Sequence, residues 1–460
     1  MPRNNENMPG DKANKPTDNE VETIDKESMP PLTEAFFRFI DANKNSDPSA
    51  LRLKYHGKTE DFDLNFALTQ IECRKRTVRK LHSFINNPRF LFPSVISSEQ
   101  ASHSAVATFH GSLIREGSSL LDMTAGLGID VMIMARHCRK VTAIELDRIK
   151  ADVLEYNCRL IGKENIRVIC GDSVDWLRNS SDKFDVIFID PARRGEGNTR
   201  TYNFHDCLPD VLNLQTLFRE KCGKLIIKAS PLLDITQTLR DIQGVTAIRA
   251  VCVNGECKEI LVEVDCKGSG LLMEAIDLNE LGGIISRFAF TRNPEKPSAD
   301  ESDMPVATEL SINRIYGNTH GIDSERVRDI IFADESDVKE GVFLYEPNAA
   351  VMKLAPWKEL TAKFVNLKKF APSSHLFVAD REYTDFPGRV LRIERIVEKK
   401  DRKTLKDLPA NVTVRNYPMS AQELRKQLKM REGTDLFLYA SRITKPIMIL
   451  AKRIRNGNRL

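Results

Sequence analysis

Ser119-Leu120-Leu121-Asp122-Met123-Thr124-Ala125-Gly126-Leu127-Gly128-Ile129-Asp130 is the stretch that decides the fold. Leu120 and Leu121 read as a short buried strand. Gly126 and Gly128 allow a sharp turn and leave room for a ligand against the backbone. Val131, Ile133, Met134 and Ala135 then begin a helix whose free N–H groups face the loop. Such a loop holds a nucleotide-like ligand. A dinucleotide fingerprint would place a third glycine after Gly128, and Ile129, Asp130 and Val131 stand there instead. Asp122 also suits a pyrophosphate poorly; it suits a ligand with a positive end.

The same pattern continues downstream. Lys140–Glu145 predicts a second strand, Ile166–Cys170 a third and Phe184–Ile189 a fourth. Each of the four carries an acid at or near its C-terminal end: Asp122, Glu145, Asp172 and Asp190. In an open parallel sheet that edge is where ligands bind. A single acid after a strand is usually a helix cap; four in order, with the glycine loop, point to a site. A fifth strand is expected over Gly223–Pro231, a helix from Asp234, and two closing strands near Val245–Val253 and Cys257–Val264. The fold class is α/β: a Rossmann-like doubly wound sheet with an antiparallel last strand at its edge.

This arrangement resembles the class I S-adenosylmethionine-dependent methyltransferases. The resemblance implies S-adenosylmethionine as cofactor. Asp122, Thr124, Ala125, Gly126 and Gly128 would sit under its methionine part, and Glu145 would hold the ribose hydroxyls. Asp172 and Ser173 would meet the adenine. Asp190, Pro191 and Arg193 would edge the methyl-transfer site as catalytic residues. The loop Met123–Gly128 is also similar to that of a guanine-N2 methyltransferase acting on small-subunit rRNA.

Outward from this domain, set at 118–267, the chain of 460 residues has room for two or three domains. Residues 1–28 are polar, lack aromatics and read as a disordered tail. Residues 29–117 show helical periodicity, with Leu64, Ala67, Leu68, Ile71, Val78, Leu81 and Ile85 on one face. Arg74, Lys75, Arg76, Arg79 and Lys80 crowd that helix; a solvated face is favoured over a phosphate contact. Ser97–Ser102 reads as the cap of a helix running to about Ile114, which would bring Gln100 to the edge of the site. After Asp190, a loop with Gly195, Gly197 and Asn198 is long enough to form a lid. No apolar run approaches a membrane span, and the N-terminus lacks an apolar signal core. The nine cysteines are scattered and without C-x-x-C, so a reduced, cytoplasmic protein without a metal site is expected.

Residues 278–460 lack a glycine loop and read as a basic α+β region of two small subdomains, with a proline-bearing loop at Pro294–Pro305. Thr361–Leu460 holds 23 Lys and Arg against 10 Asp and Glu, a balance of +13, which leaves −9 on the rest of a chain of net +4. Positive charge concentrated on one module favours a polyanion. Leu344–Lys353, Ala410–Pro418 and Glu423–Leu428, with the strand-end motifs, resemble the methyltransferases that carry a C-terminal THUMP-like domain. That resemblance, over roughly residues 90–460, implies an RNA partner, rRNA or tRNA.

The chemistry expected is methylation of a base nitrogen. Asp190 can accept hydrogen bonds from the acceptor amine, and Arg193 can stack on a base or hold a phosphate. Carbon methylation of uridine needs a cysteine nucleophile near the end of the fifth strand, where Ala229-Ser230-Pro231 stands. A catalytically silent RNA-binding protein and a small-molecule methyltransferase are the alternatives.

Overall fold

The computed structural model describes residues 28–193, 204–265, 270–292, 329–433 and 435–454. The expected tail up to residue 27, the Gly195–Asn198 loop and the Pro294–Pro305 loop lie outside them.

Six helices lead in: α1 (Glu34–Asn43), α2 (Pro48–Lys54), α3 (Leu64–Thr77), α4 (His82–Ile85), α5 (Val95–Gln100) and α6 (Ser104–Ser112). The basic run does not share one helix, because α3 ends at Thr77. Two of its charges are spent locally. Arg74 donates to the carbonyls of Ile85, Asn87, Pro88 and Phe90, and Arg76 pairs with Glu72 and Glu99. The helices join the catalytic-type domain through buried polar clamps in an apolar core. Gln70 accepts from and donates to the backbone of Phe92 (2.8 and 2.9 Å), and Asn157 does the same for Leu91 (both 2.9 Å). Phe36, Phe66, Phe90, Val131 and Leu154 pack in one cluster around them.

Alternating strands and helices follow. They are β1 (Ser118–Asp122), α7 (Ile129–Met134), β2 (Cys138–Glu145), α8 (Arg148–Leu160), β3 (Ile166–Cys170), α9 (Ser173–Asn179) and β4 (Phe184–Ile189). A two-stranded ribbon of β5 (Ala192–Arg193) and β6 (Cys207–Leu208) comes next, then α10 (Gln215–Lys221), β7 (Cys222–Ala229), α11 (Ile235–Asp241), β8 (Val245–Val253) and β9 (Glu256–Asp265). β1, β2, β3, β4 and β7 are mutually parallel. β1 is buried along its whole length, as a strand covered on both faces must be.

An antiparallel strand closes the sheet at its edge as expected, and a second one lies inside the sheet. β9 inserts between β7 and β8, and the sheet continues into β10 (Leu271–Leu278) and β11 (Ile284–Arg292) to give the order β11-β10-β8-β9-β7-β4-β1-β2-β3. Charge as well as apolar contact holds this extension. The fully buried Arg249 of β8 pairs with Glu263 of β9 (2.5 Å) and Glu274 of β10 (2.7 Å), and Glu274 also pairs with Arg287 of β11.

A second, seven-stranded sheet follows, built from β12 (Phe343–Pro347), β13 (Lys368–Lys369), β14 (Phe377–Ala379), β15 (Gly388–Ile396), β16 (Asn411–Val414), β17 (Leu436–Arg442) and β18 (Pro446–Arg453). Its order is β13-β14-β12-β15-β18-β17-β16. Helices α12 (Ala349–Leu354), α13 (Trp357–Lys363) and α14 (Ala421–Leu428) accompany it. Ala350, Leu354, Leu360 and Phe377 share one hydrophobic cluster with Ala250, Ile260 and Phe288, so the two sheets bury apolar surface against each other. Asn348 donates to Ser286 Oγ (2.9 Å) and Lys353 to the Leu233 carbonyl (2.8 Å) across the same junction.

Candidate active site

The C-terminal ends of the parallel strands open on a cleft of about 980 Å³. Asp122, Thr124, Ala125, Gly126, Gly128, Glu145, Asp172, Ser173 and Asp190 all line it, and Gln100 reaches it too. Pro191 is buried beside it, Ala192 lines it, and the side chain of Arg193 lies outside the described residues.

The glycine loop is held in place by hydrogen bonds to its neighbours. Met123 N–H donates to the Phe188 carbonyl (3.0 Å) and Ala125 N–H to that of Ile144 (3.0 Å). Thr124 Oγ1 accepts from Asp190 N–H (2.7 Å), tying the loop after β1 to the loop after β4. Gly126 and Gly128 both have positive φ (+55° and +83°). A Cβ on Gly128 would lie 2.1 Å from Leu154 Cδ1, so this glycine lets α8 close on the loop, whereas Gly126 faces open space that a ligand can fill.

Each acid has a defined environment. Asp122 is buried and accepts from Thr124 N–H (2.9 Å); burial, with Asp130 and Asp190 nearby, pushes its carboxyl up to about 8. Glu145 accepts from Gly126 N–H (2.8 Å) and Asp147 N–H (3.0 Å), which aims its carboxylate along the loop. Asp172 caps α9 with Oδ1 alone, through the N–H groups of Val174 and Asp175.

The fold adds residues that sequence reasoning did not pick out. Lys228 of β7 donates to Asp190 Oδ2 (2.6 Å) and to Ser102 Oγ (2.9 Å). Ser102 donates to Asp130 Oδ2, His110 Nδ1 donates to Asp130 Oδ1 (2.8 Å), and His110 Nε2 donates to Glu259. An unbroken chain thus runs Asp190–Lys228–Ser102–Asp130–His110–Glu259 beneath the cleft. Burial alone would lower Lys228, but Asp190, Asp130 and Glu259 outweigh it and hold the ammonium charged. His110 is likewise pulled down by burial and raised further by Glu259 and Asp130, to about 10, so it is an imidazolium. Asp130, raised by burial, is brought to about 2 chiefly by His110. Lys228 had one sequence signal: a cation directly after the apolar run Leu225-Ile226-Ile227, near the C-terminal end of its strand.

The expected helix running to about Ile114 is α6, and the Ser97–Ser102 stretch expected to cap it holds the end of a separate helix, α5. α5 is capped by Ser94, and α6 by His103. The chain breaks between them at Ala101, which is extended, and the break delivers Ser102 to Lys228 and Asp130.

Comparison with known proteins agrees with this geometry. Residues 117–267 match the family model described as RNA cap guanine-N2 methyltransferase, and residues 388–453 match THUMP domain-like. A solved structure of a provisionally assigned methyltransferase from Porphyromonas gingivalis W83 aligns over 92% of this chain and 98% of its own, at 26% identity and TM-score 0.74.

The chain thus carries a methyltransferase-type domain followed by a THUMP-like one. Residues 343–387 match a separate model, a ferredoxin-like domain, so the THUMP-like match covers the latter part of the C-terminal region. Both segments share the seven-stranded sheet, because β12 pairs with β15 across their boundary. Among curated relatives, an uncharacterized RNA methyltransferase from Mycoplasma mobile is 25% identical over 149 residues, which is 32% of this chain and 40% of the relative. Another from Caldanaerobacter subterraneus subsp. tengcongensis is 33% identical over 93 residues, 20% of each chain. The chain thus spans well under half the length of these two relatives. No helix among the described residues is long and apolar enough to cross a membrane.

Proposed function

We propose that this chain transfers a methyl group from S-adenosylmethionine to a base nitrogen in rRNA or tRNA, with Asp190 orienting the acceptor. The observation that carries the reading is the cleft itself: every acid at the strand ends lines it together with the glycine loop, and Asp190 stands at its rim. The residues fit the cofactor. Open space over Gly126 admits its backbone-hugging part. Asp122, buried and reluctant to ionise, gains a cation to face. Glu145 is already aimed to accept ribose hydroxyls, and Asp172 keeps Oδ2 for the adenine amine. Bound there, S-adenosylmethionine supplies an electrophilic methyl group on a sulfonium.

The protein's own work is orientation. Asp190 accepts an N–H of the acceptor amine and is placed to receive the proton that leaves when the nitrogen is alkylated. Lys228 fixes the Asp190 carboxylate and uses two of its three N–H donors among the described residues. No cysteine lines the described cleft, which speaks against a covalent route to carbon methylation.

The test is calorimetric titration with S-adenosylmethionine, then tritium-methyl transfer to total rRNA and tRNA. Asp122→Ala is expected to lose cofactor binding. Asp190→Asn is expected to bind cofactor within about twofold of wild type and lose at least 100-fold in transfer, on the scale of removing a positioned proton acceptor. Unchanged turnover in Asp190→Asn would remove the assigned role. A wild type that binds no cofactor would leave a catalytically silent RNA-binding protein.

A further inference from the structure

Three cavities in the described structure follow one another through shared lining residues. The methyl-transfer cleft shares Gln100, Ala101, Ser102 and Lys228 with a neighbouring cavity of about 570 Å³. That cavity in turn shares Asn254, at the β8–β9 turn, with a third of about 710 Å³ lying between the two sheets. The second is lined by Arg79, Lys80 and Lys258 together with Glu99, Glu256, Glu259 and Glu280, Lys258 pairing with Glu256 (2.8 Å), and the third by Arg389, Arg415 and Arg453 with Asp277 and Glu346.

The third cavity is built, not incidental. Glu346 is buried at the end of β12. It accepts from Arg389 (3.0 Å), from Arg415 Nη2 (2.7 Å) and from the hydroxyl of the buried Tyr439 (2.7 Å). Two guanidinium groups are thereby fixed at the cleft with their side chains 47% and 37% exposed. A buried carboxylate pins them from behind and neutralises one of their two charges. Arg453 adds a third guanidinium and forms no ion pair among the described residues. Glu346 and Arg415 belong to two separate sequence motifs, Leu344–Lys353 and Ala410–Pro418, and this cleft is where the motifs meet.

We infer that a single-stranded segment of the RNA substrate runs along this connected track, its phosphates held by Arg389, Arg415 and Arg453 while a base enters at Lys228 and Asp190. The inference rests on the RNA reading proposed above. Rigid guanidinium groups bind phosphate oxygens through paired N–H donors, and groups pre-set by a buried acid lose little freedom on binding. A track that opens onto the reacting groups at one end and the basic domain at the other also explains why the positive charge lies beyond Thr361. It sets register along the strand, while the cleft selects the base.

The experiment uses the full chain and a fluorescein-labelled single-stranded oligoribonucleotide of random sequence, about 16 nucleotides long. Fluorescence anisotropy is read between about 50 and 200 mM salt. Arg453→Ala and Lys258→Ala are each expected to weaken binding about fivefold and to lower the salt slope by about 0.7, one phosphate contact on a single strand. Arg453→Lys should recover the slope. Lys400→Ala, a loss of charge in the same basic region but away from the cavities, should match wild type.

Equal losses in Lys400→Ala and Arg453→Ala would reduce the track to a diffuse basic surface, and no loss in Arg453→Ala and Lys258→Ala, or no binding by wild type, would overturn it. Calorimetry with S-adenosylmethionine on the same variants separates the two proposals. Arginine-dependent oligonucleotide binding without cofactor binding sinks the methyl-transfer reading and keeps the track. Methyl transfer to RNA that is indifferent to Arg453 and Lys258 does the reverse.

Discussion

Asp122 shows at the scale of one residue how a site is kept ready at the expense of stability. Its carboxyl is buried with one backbone donor and rises to about 8, against about 3.9 for an exposed aspartate. Between those values the unfolded chain has released this proton and the folded chain still holds it. Stability therefore falls as pH rises from about 4 to about 8. Asp122→Asn keeps the hydrogen bond from Thr124 and removes the ionisation. It should raise the melting temperature of the cofactor-free protein by a few degrees at about pH 8, and by less near pH 5. A melting temperature lowered equally at both pH values would contradict this. The gain in stability would come with weakened cofactor binding, the usual exchange at a functional site. The position of Asp122 was legible in the sequence, because it ends an apolar strand before a glycine turn. Its reluctance to ionise was not, since that depends on how deeply the fold buries it and then on Asp130 and Asp190 being near.

At the scale of elements, the site is made by turns and breaks. Gly128 has φ +83° and leaves no room for a Cβ beside Leu154. Gly128→Ala must therefore both adopt a left-handed backbone and push α8 away. It should cost at least 1–2 kcal/mol of stability and weaken cofactor binding about tenfold or more, measured by denaturant unfolding and calorimetry. A variant with wild-type cofactor affinity would show that α8 yields freely and that the loop does not depend on it. The sequence shows why glycine is needed for the turn, but not that α8 is what it admits. The break between α5 and α6 was hidden for a similar reason. Ser97–Ser102 reads as a cap on local rules, and Ser102 lies between the two helices, its hydroxyl bonded to Lys228 and Asp130.

On the scale of the whole molecule, the two sheets share one hydrophobic cluster and two side-chain clamps. Neither can unfold alone without exposing Ala350, Leu354, Phe288 and their neighbours to water. Calorimetric unfolding should show one transition for both sheets, with an ellipticity signal and a fluorophore placed on the C-terminal domain melting together. Two separated transitions would mean that the junction is a docking surface between independent domains. The nine-stranded sheet makes the same point: β10 and β11 continue it past the expected boundary at 267, with Glu274 of β10 paired to the buried Arg249 of β8 and to Arg287 of β11.

By itself the sequence determined the strand–loop–helix repeats, the order of the four acids and the glycine turn. Those signals are local: apolar runs, turn residues and spacings of a few positions along the chain. Only the tertiary structure decided that Lys228 faces Asp190, that Ser102 lies 126 residues away from its Lys228 partner, and that His110 bridges Asp130 and Glu259, the latter 149 residues distant. Such contacts arise from burying strands of one sheet beside helices from another part of the chain. Their charges are stable there only as a mutually compensating set, and no stretch of sequence read alone contains that set.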